Sequence, residues 1–267
     1  MRTSFLALSL SLAVSLSGCF LAPRVEGPTV ETIPVGACNP VPCAKITIAT
    51  LPELPESFTT AARTAVLERV NQALYAPLDD ADGNITRARF IQSVQSQYEE
   101  YMAVKDPEAV VDWQVSRSAF IIYASQDFAS VVVKNEGYLG GAHGFNDEQL
   151  FVFDGKSGKV FSLSDLLSPG SKEIFTKAAE AEFRRARNIK PSETLEEAGF
   201  TFENNSFALS NNFAITDKGI SLHYNPYEVG PYVMGATDVM VPLDVARPAL
   251  NADVLSLPPN TQAKGLL

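Results

Sequence analysis

The chain changes hydrophobic period about two-fifths of the way along. Over residues 58 to 74, Phe58, Ala62, Ala65, Val66, Val70, Ala73 and Leu74 share one helical face, with Arg63, Glu68 and Gln72 turned away from it. A second helical stripe follows Thr86, a natural N-cap: Phe90, Ile91, Val94, Tyr98, Tyr101 and Met102, stopped at Asp106-Pro107. From Trp113 the period is two. Trp113 to Tyr123 and Phe128 to Lys134 read as a hairpin, and Gln149 to Phe153 with Lys159 to Phe161 as another around Asp154-Gly155-Lys156-Ser157-Gly158. An alternating strand at Ala44 to Thr50 precedes the helices. Ile174, Phe175, Ala178, Ala179 and Phe183 predict a helix from Ser171 to about Arg187, whose basic last turn suits the helix dipole. Phe213 to Thr216 and Gly219 to Tyr224 form a third hairpin, Asp238 to Leu243 a last strand, and Asp244 caps a short helix from Val245 to Leu250. The fold class expected is α+β: an antiparallel β-sheet with amphipathic helices packed on one face.

Between two strand-like runs stands Tyr138-Leu-Gly-Gly-Ala-His-Gly-Phe-Asn146, with three of the 16 glycines and one of the two histidines. A Gly-Gly pair there marks a tight or closely approached loop. It is either a plain connection or a loop that presents His143 and Asn146 to a partner. His143 either bonds a nearby backbone carbonyl, pinning the loop, or makes contacts outward. His223 alternates with Leu222 and Tyr224, so the pattern places it away from the apolar face with Ser221 and Asn225, an exposed strand position. Tyr224, Tyr227 and Tyr232 crowd one turn with Asn225 and Glu228; this is either a rigid Pro-Tyr corner or a surface for sugar or protein.

Composition narrows the classes. The 267 residues are 46% hydrophobic and 19% charged, which makes a globular chain of one large or two small domains. A net charge of −10 opposes phosphate backbones, so nucleic acid is not an expected partner; it suits a cationic protein, although it also serves solubility. Asp79-Asp80-Ala81-Asp82-Gly83-Asn84 lacks the ligand alternation and closing Glu of an EF-hand and reads as a solvated turn. No Gly-x-Ser-x-Gly elbow marks a serine nucleophile. Zinc held by both histidines with Asp147, Glu148 or Glu228 lacks close ligand spacing such as His-x-x-x-His. No catalytic residue, metal or cofactor is therefore expected.

The N-terminus carries an address. Arg2, then the apolar run Phe5 to Leu16, then Leu16-Ser17-Gly18-Cys19, resembles the signal peptide and lipobox of bacterial lipoproteins, in which the cysteine is acylated and the chain is cut before it. Phe20 in place of Asp implies, in a Gram-negative cell, sorting to the outer membrane. Lipidation supplies more than one acyl chain, enough for stable anchoring. Cys38 and Cys43 remain as an even pair around Asn39-Pro40-Val41-Pro42 and are expected to bridge outside the cytoplasm. Residues 19–43, with five prolines from Pro23 to Pro42, read as an extended tether.

Three stretches together resemble one family. They are Gly140-Gly141-Ala142-His143 with Asn146; Phe161-Ser-Leu-Ser-Asp-Leu-Leu167; and Phe213 to Ile220 through Tyr224-Asn-Pro-Tyr-Glu-Val-Gly-Pro-Tyr232. They are similar to DUF3298, preceded by DUF4163, the module shared by RsiV-like anti-sigma factors and the non-catalytic part of PdaC-like peptidoglycan deacetylases. The organisation expected is 1–18 signal peptide, 19–43 tether, 44–112 DUF4163-like, 113–250 DUF3298-like, and 251–267 tail. The resemblance implies an extracytoplasmic α+β module, and in the anti-sigma relatives a receptor for lysozyme. Neither a sigma-binding segment nor a deacetylase domain is expected beside the module here. The expected function is thus a lipid-anchored envelope binding module for a cell-wall glycan or a lysozyme-like protein. The rival is a peptidoglycan hydrolase with His143 as base or metal ligand. The binding residues expected are Tyr138, Gly140, Gly141, His143, Asn146, Tyr224, Asn225, Tyr227, Glu228 and Tyr232.

Overall fold

The computed structural model describes residues 28–36, 42–79 and 84–251. The signal peptide, Cys19, Cys38, the aspartates and glycine at 80–83 and the tail from 252 lie outside the described residues. The fold is α+β, with two sheets. The larger has five strands in the order β1 (Val30–Val35), β2 (Ala44–Ala49), β3 (Trp113–Ala124), β4 (Phe128–Tyr138) and β5 (Phe145–Asp154). The smaller is the meander β6 (Phe213–Ile215), β7 (Gly219–Tyr224) and β8 (Thr237–Pro242).

Two features depart from the single antiparallel sheet expected from the pattern. β2 and β3 are parallel, Ala44 facing Trp113 and Ala49 facing Ser118. Parallel neighbours need a crossover, and the two amphipathic helices α1 (Thr60–Leu74) and α2 (Arg87–Val104) supply it. Residues 30–35, read as part of the tether, form the edge strand β1, zipped antiparallel to β2. Edge placement tolerates Pro34, which has no N–H to give a ladder. Cys43, just before β2, is buried and disulfide-bonded.

The helices start where their caps dictate. The Thr59 hydroxyl accepts from Ala62 N, and that of Thr86 from Arg89 N. Ala62, Val66, Val70 and Leu74 of α1, with Phe90, Val94 and Tyr98 of α2, bury against Ile46, Ile48, Val115, Ala119, Val131 and Phe153 on one sheet face. A short helix, α3 (Leu163–Leu166), carries a capping box between Ser162 and Asp165 and leads into α4 (Lys172–Ala186). In α4, Phe175, Ala179 and Phe183 join Leu222, Val239 and Val241 of the meander in a second core. The expected strand at Lys159 to Phe161 is reduced to one bridge, Phe153 to Val160. The last helix, α5 (Leu243–Ala246), starts at Pro242, and Asp244 lies inside it rather than capping it.

The meander is sewn to the large sheet by side chains. Buried Ser130 of β4 accepts from Ile215 N and donates to Ile215 O. Asn212 accepts from Leu150 N at 2.6 Å and donates to Glu148 O at 2.7 Å. Asn225 accepts from Glu148 N and donates to the same carbonyl. An open edge strand invites foreign pairing; on β5, two asparagine side chains take the places a further strand would occupy.

Candidate functional site

β4 and β5 run beyond the lengths predicted, so Tyr138 and Asn146 are strand residues, and the glycine loop spans 139–144. Gly140 sits at φ +72°, and a Cβ there would lie 2.8 Å from the Tyr101 hydroxyl, so the loop rides directly on the end of α2. Gly141 is exposed and merely turns the chain.

The loop meets the turn that follows β7. The His143 ring stacks on Tyr232, centroids 3.8 Å apart and planes 16° from parallel. One carbonyl clips both rings: Gly144 O accepts from His143 Nδ1 at 2.7 Å and from the Tyr232 hydroxyl at 2.8 Å. Because a carbonyl only accepts, Nδ1 carries the proton in neutral His143, leaving Nε2 as a lone pair. The Tyr227 hydroxyl faces that Nε2 at 3.4 Å, and its ring lies 5.4 Å from that of Tyr232. His143 thus both pins its loop and remains exposed.

Tyr227 is held at φ +70°, a left-handed conformation that costs a non-glycine residue roughly 1–2 kcal/mol, yet the residue is 66% exposed. Backbone strain spent on presenting an aromatic ring to solvent marks a functional candidate. Three rings therefore form a shelf, with Tyr138 and Val233 also exposed. Glu228 follows Tyr227 and accepts from Asn225 N at 2.8 Å. Behind it lies a cavity of about 400 Å³ floored by Phe202, Tyr224 and Val229, with Glu203 and Glu228 as its ionisable lining.

Other expected site residues play internal parts. Tyr224 is buried, its hydroxyl donated to Ala208 O at 2.7 Å; burial drives its pKa strongly upward. It belongs to the second core, and the little surface it keeps lies in the cavity. Asn225 is spent on β5. Asn146 is exposed opposite Glu136 on the strand pair. His223 is only 3% exposed, contrary to the surface position that alternation gave it, because both faces of β7 are covered. Its Nδ1 is 2.7 Å from Asp238 and its Nε2 3.1 Å from Asn225 Oδ1, so neither nitrogen offers a lone pair to a metal. Among the described residues no three His, Cys, Asp or Glu side chains are grouped to hold an ion.

Sequence reasoning missed one polar row across the sheet, buried at Arg117 and half-buried at its partners. Arg117, Asn135 and Asp147 are cross-strand neighbours on β3, β4 and β5. Arg117 is 2% exposed, with its guanidinium 4.9 Å over the Phe90 ring. Burial lowers its pKa to about 10 against the opposing pull of Asp147, and burial raises that of Asp147. The signal was present: alternation from Trp113 through Val115 to Ala119 puts Arg117 on the apolar face.

The chain's likenesses to known proteins can be set beside this geometry. The profile of the family described as "Protein of unknown function (DUF3298)" matches residues 164–244, which includes the Asn225 to Tyr232 turn but not the His143 loop. None of the curated proteins compared with the chain matches it. A DUF3298 family member of Bacteroides fragilis has a similar structure, with TM-score 0.62 and 17% identity over 87% of this chain and 97% of that one. A DUF3298 family protein of Pseudomonas aeruginosa is similar with TM-score 0.59 and 18% identity over 85% of this chain and 94% of that one. The chain thus carries a DUF3298 match at residues 164–244, within a fold shared with solved structures of that family.

Proposed function

We propose that this chain is a lipid-anchored cell-envelope module that binds a cell-wall glycan without transforming it. The observation that carries the reading is the strained, exposed Tyr227 beside the stacked His143 and Tyr232. Aromatic faces offer contact area at small entropic cost to the C–H faces of sugar rings, while Asn146 and Glu228 supply polar partners near the rim. The lipobox-like Leu16 to Cys19 supports placement at a membrane surface, and Phe20 supports the outer membrane in a Gram-negative cell. The second reading is a lysozyme-like protein as ligand. It is favoured by the cavity beside the shelf, whose ionisable lining is Glu203 and Glu228, and by the net charge of −10, both suited to a cationic partner.

The test is co-sedimentation of the mature chain with purified peptidoglycan, beside a pull-down with lysozyme. Retention on peptidoglycan that is lost in Tyr227→Ala supports the glycan reading. Retention on lysozyme alone transfers the site to the second reading. No retention on either, or release of soluble wall fragments, defeats the proposal.

A further inference from the structure

The buried His223 connects the shelf to the sheet, and its hydrogen bonds dictate its charge. Asn225 contacts two backbone groups of Glu148, whose N–H only donates and whose C=O only accepts. Asn225 is therefore fixed with Oδ1 toward Glu148 N and Nδ2 toward Glu148 O. That same Oδ1 lies 3.1 Å from His223 Nε2, so Nε2 must donate. On the other side Nδ1 lies 2.7 Å from the carboxylate of Asp238, which accepts. Both ring nitrogens need protons. A neutral ring would set a lone pair against an oxygen lone pair at one end or the other.

We propose that His223 is a positioning residue of the aromatic shelf, carried as an imidazolium, and that its positive charge latches the Asn225 to Tyr232 turn onto β5. The chain of contacts runs from Asp238 on β8 through the ring to Asn225, from Asn225 to the edge of β5, and from Asn225 N to Glu228 beside Tyr227. The charged groups around the ring are Asp238 from β8 and Glu148 from β5. Lys134 of β4 pairs with Glu148 at 2.8 Å, and Glu228 lies beyond Asn225. From the preceding loop, Ser210 donates to His223 O and Asn212 O accepts from His223 N, and neither titrates. Burial alone would lower the ring's pKa, but the bond and charge of Asp238, with Glu148 and Asn225, carry it above the ordinary 6.5. A raised folded pKa means that the latch is complete below about 6.5 and is lost as pH rises through the folded value. Its consequence for glycan capture rests on the function proposed above: binding strengthens toward acid. The latch itself is read without any ligand.

The experiment is a pH titration of the mature chain by NMR with labelled histidines, His143→Gln assigning the two rings. His223 is expected as an imidazolium at pH 6. Across its titration the protection of the Glu148 amide, held by Asn225, should fall about tenfold relative to that of the Leu150 amide, held by Asn212. Asp238→Asn changes a residue whose side chain is 73% exposed, so the fold is kept while the titration and the loss of protection move together to lower pH. A neutral His223 at pH 6, a Glu148 to Leu150 ratio that stays flat through the titration, or a transition unmoved in Asp238→Asn overturns the proposal. In the binding arm, wild-type co-sedimentation with peptidoglycan should weaken as pH rises through the same midpoint. Failure there with the amide readout intact counts against the shelf as a glycan site, not against the latch.

Discussion

The strain at Tyr227 gives a prediction that separates backbone from side chain. The residue occupies φ +70° and is 66% exposed, so truncation removes little buried area. Tyr227→Ala deletes the ring contact with Tyr232 but keeps a Cβ in the left-handed region. Tyr227→Gly deletes the same contact and also removes the strain of roughly 1–2 kcal/mol. Glycine gives back about 0.5–1 kcal/mol through the extra freedom of its unfolded chain. The glycine variant should therefore be more stable than the alanine variant by about 0.5–1 kcal/mol, the reverse of their order in a helix or strand. Urea unfolding followed by tyrosine fluorescence, extrapolated to water, measures the difference. Both variants should lose peptidoglycan retention equally, since both lack the ring. If alanine proves the more stable of the two by about 0.5–1 kcal/mol, the ordinary glycine cost alone, the backbone holds no strain at this position. The case for a conformation maintained to present the ring would then fail.

Two further perturbations probe the scaffold behind the shelf. Arg117→Ala removes the buried charge facing half-buried Asp147 and empties the space over the Phe90 ring, and should cost about 1–3 kcal/mol by chemical denaturation, while the pair Arg117→Met with Asp147→Leu should recover most of it; a loss under about 0.5 kcal/mol for the single change would show that the row is not coupled. Asn212→Ala removes the acceptor of Leu150 N and the donor to Glu148 O, and should cost about 1–3 kcal/mol while opening the β5 edge to self-association measurable by sedimentation.

The parts of the fold legible from sequence are those set by local rules. Thr59 and Thr86 cap helices whose apolar stripes recur at the expected spacing, and the hairpins at Asp154 to Gly158 and Thr216 to Gly219 follow from turn residues. What was illegible is set by partners distant in the chain. Residues 30–35 carry Val30, Ile33 and Val35 but stand among prolines, Pro34 within them, that speak for an extended tether, and β2 supplies the pairing. The parallel register of β2 with β3 depends on where two helices return the chain, and no single residue encodes that. Alternation puts His223 outward because it reports one face only, while β7 is covered on both. At the site, the crowded tyrosines and the glycine loop that carries His143 are visible in sequence. That Tyr224 points into the core while Tyr227 and Tyr232 meet His143 follows from a turn with a left-handed residue, which proline and tyrosine do not advertise.

The central claim is that the rings of His143, Tyr227 and Tyr232 receive the apolar face of a wall sugar. Ring-resonance mapping of the mature chain during titration with soluble muropeptides tests it most directly. The account predicts saturable shifts confined to these three rings and their neighbours, with the muropeptide recovered unaltered. Shifts centred elsewhere, no shifts at millimolar ligand, or cleavage of the muropeptide would contradict it.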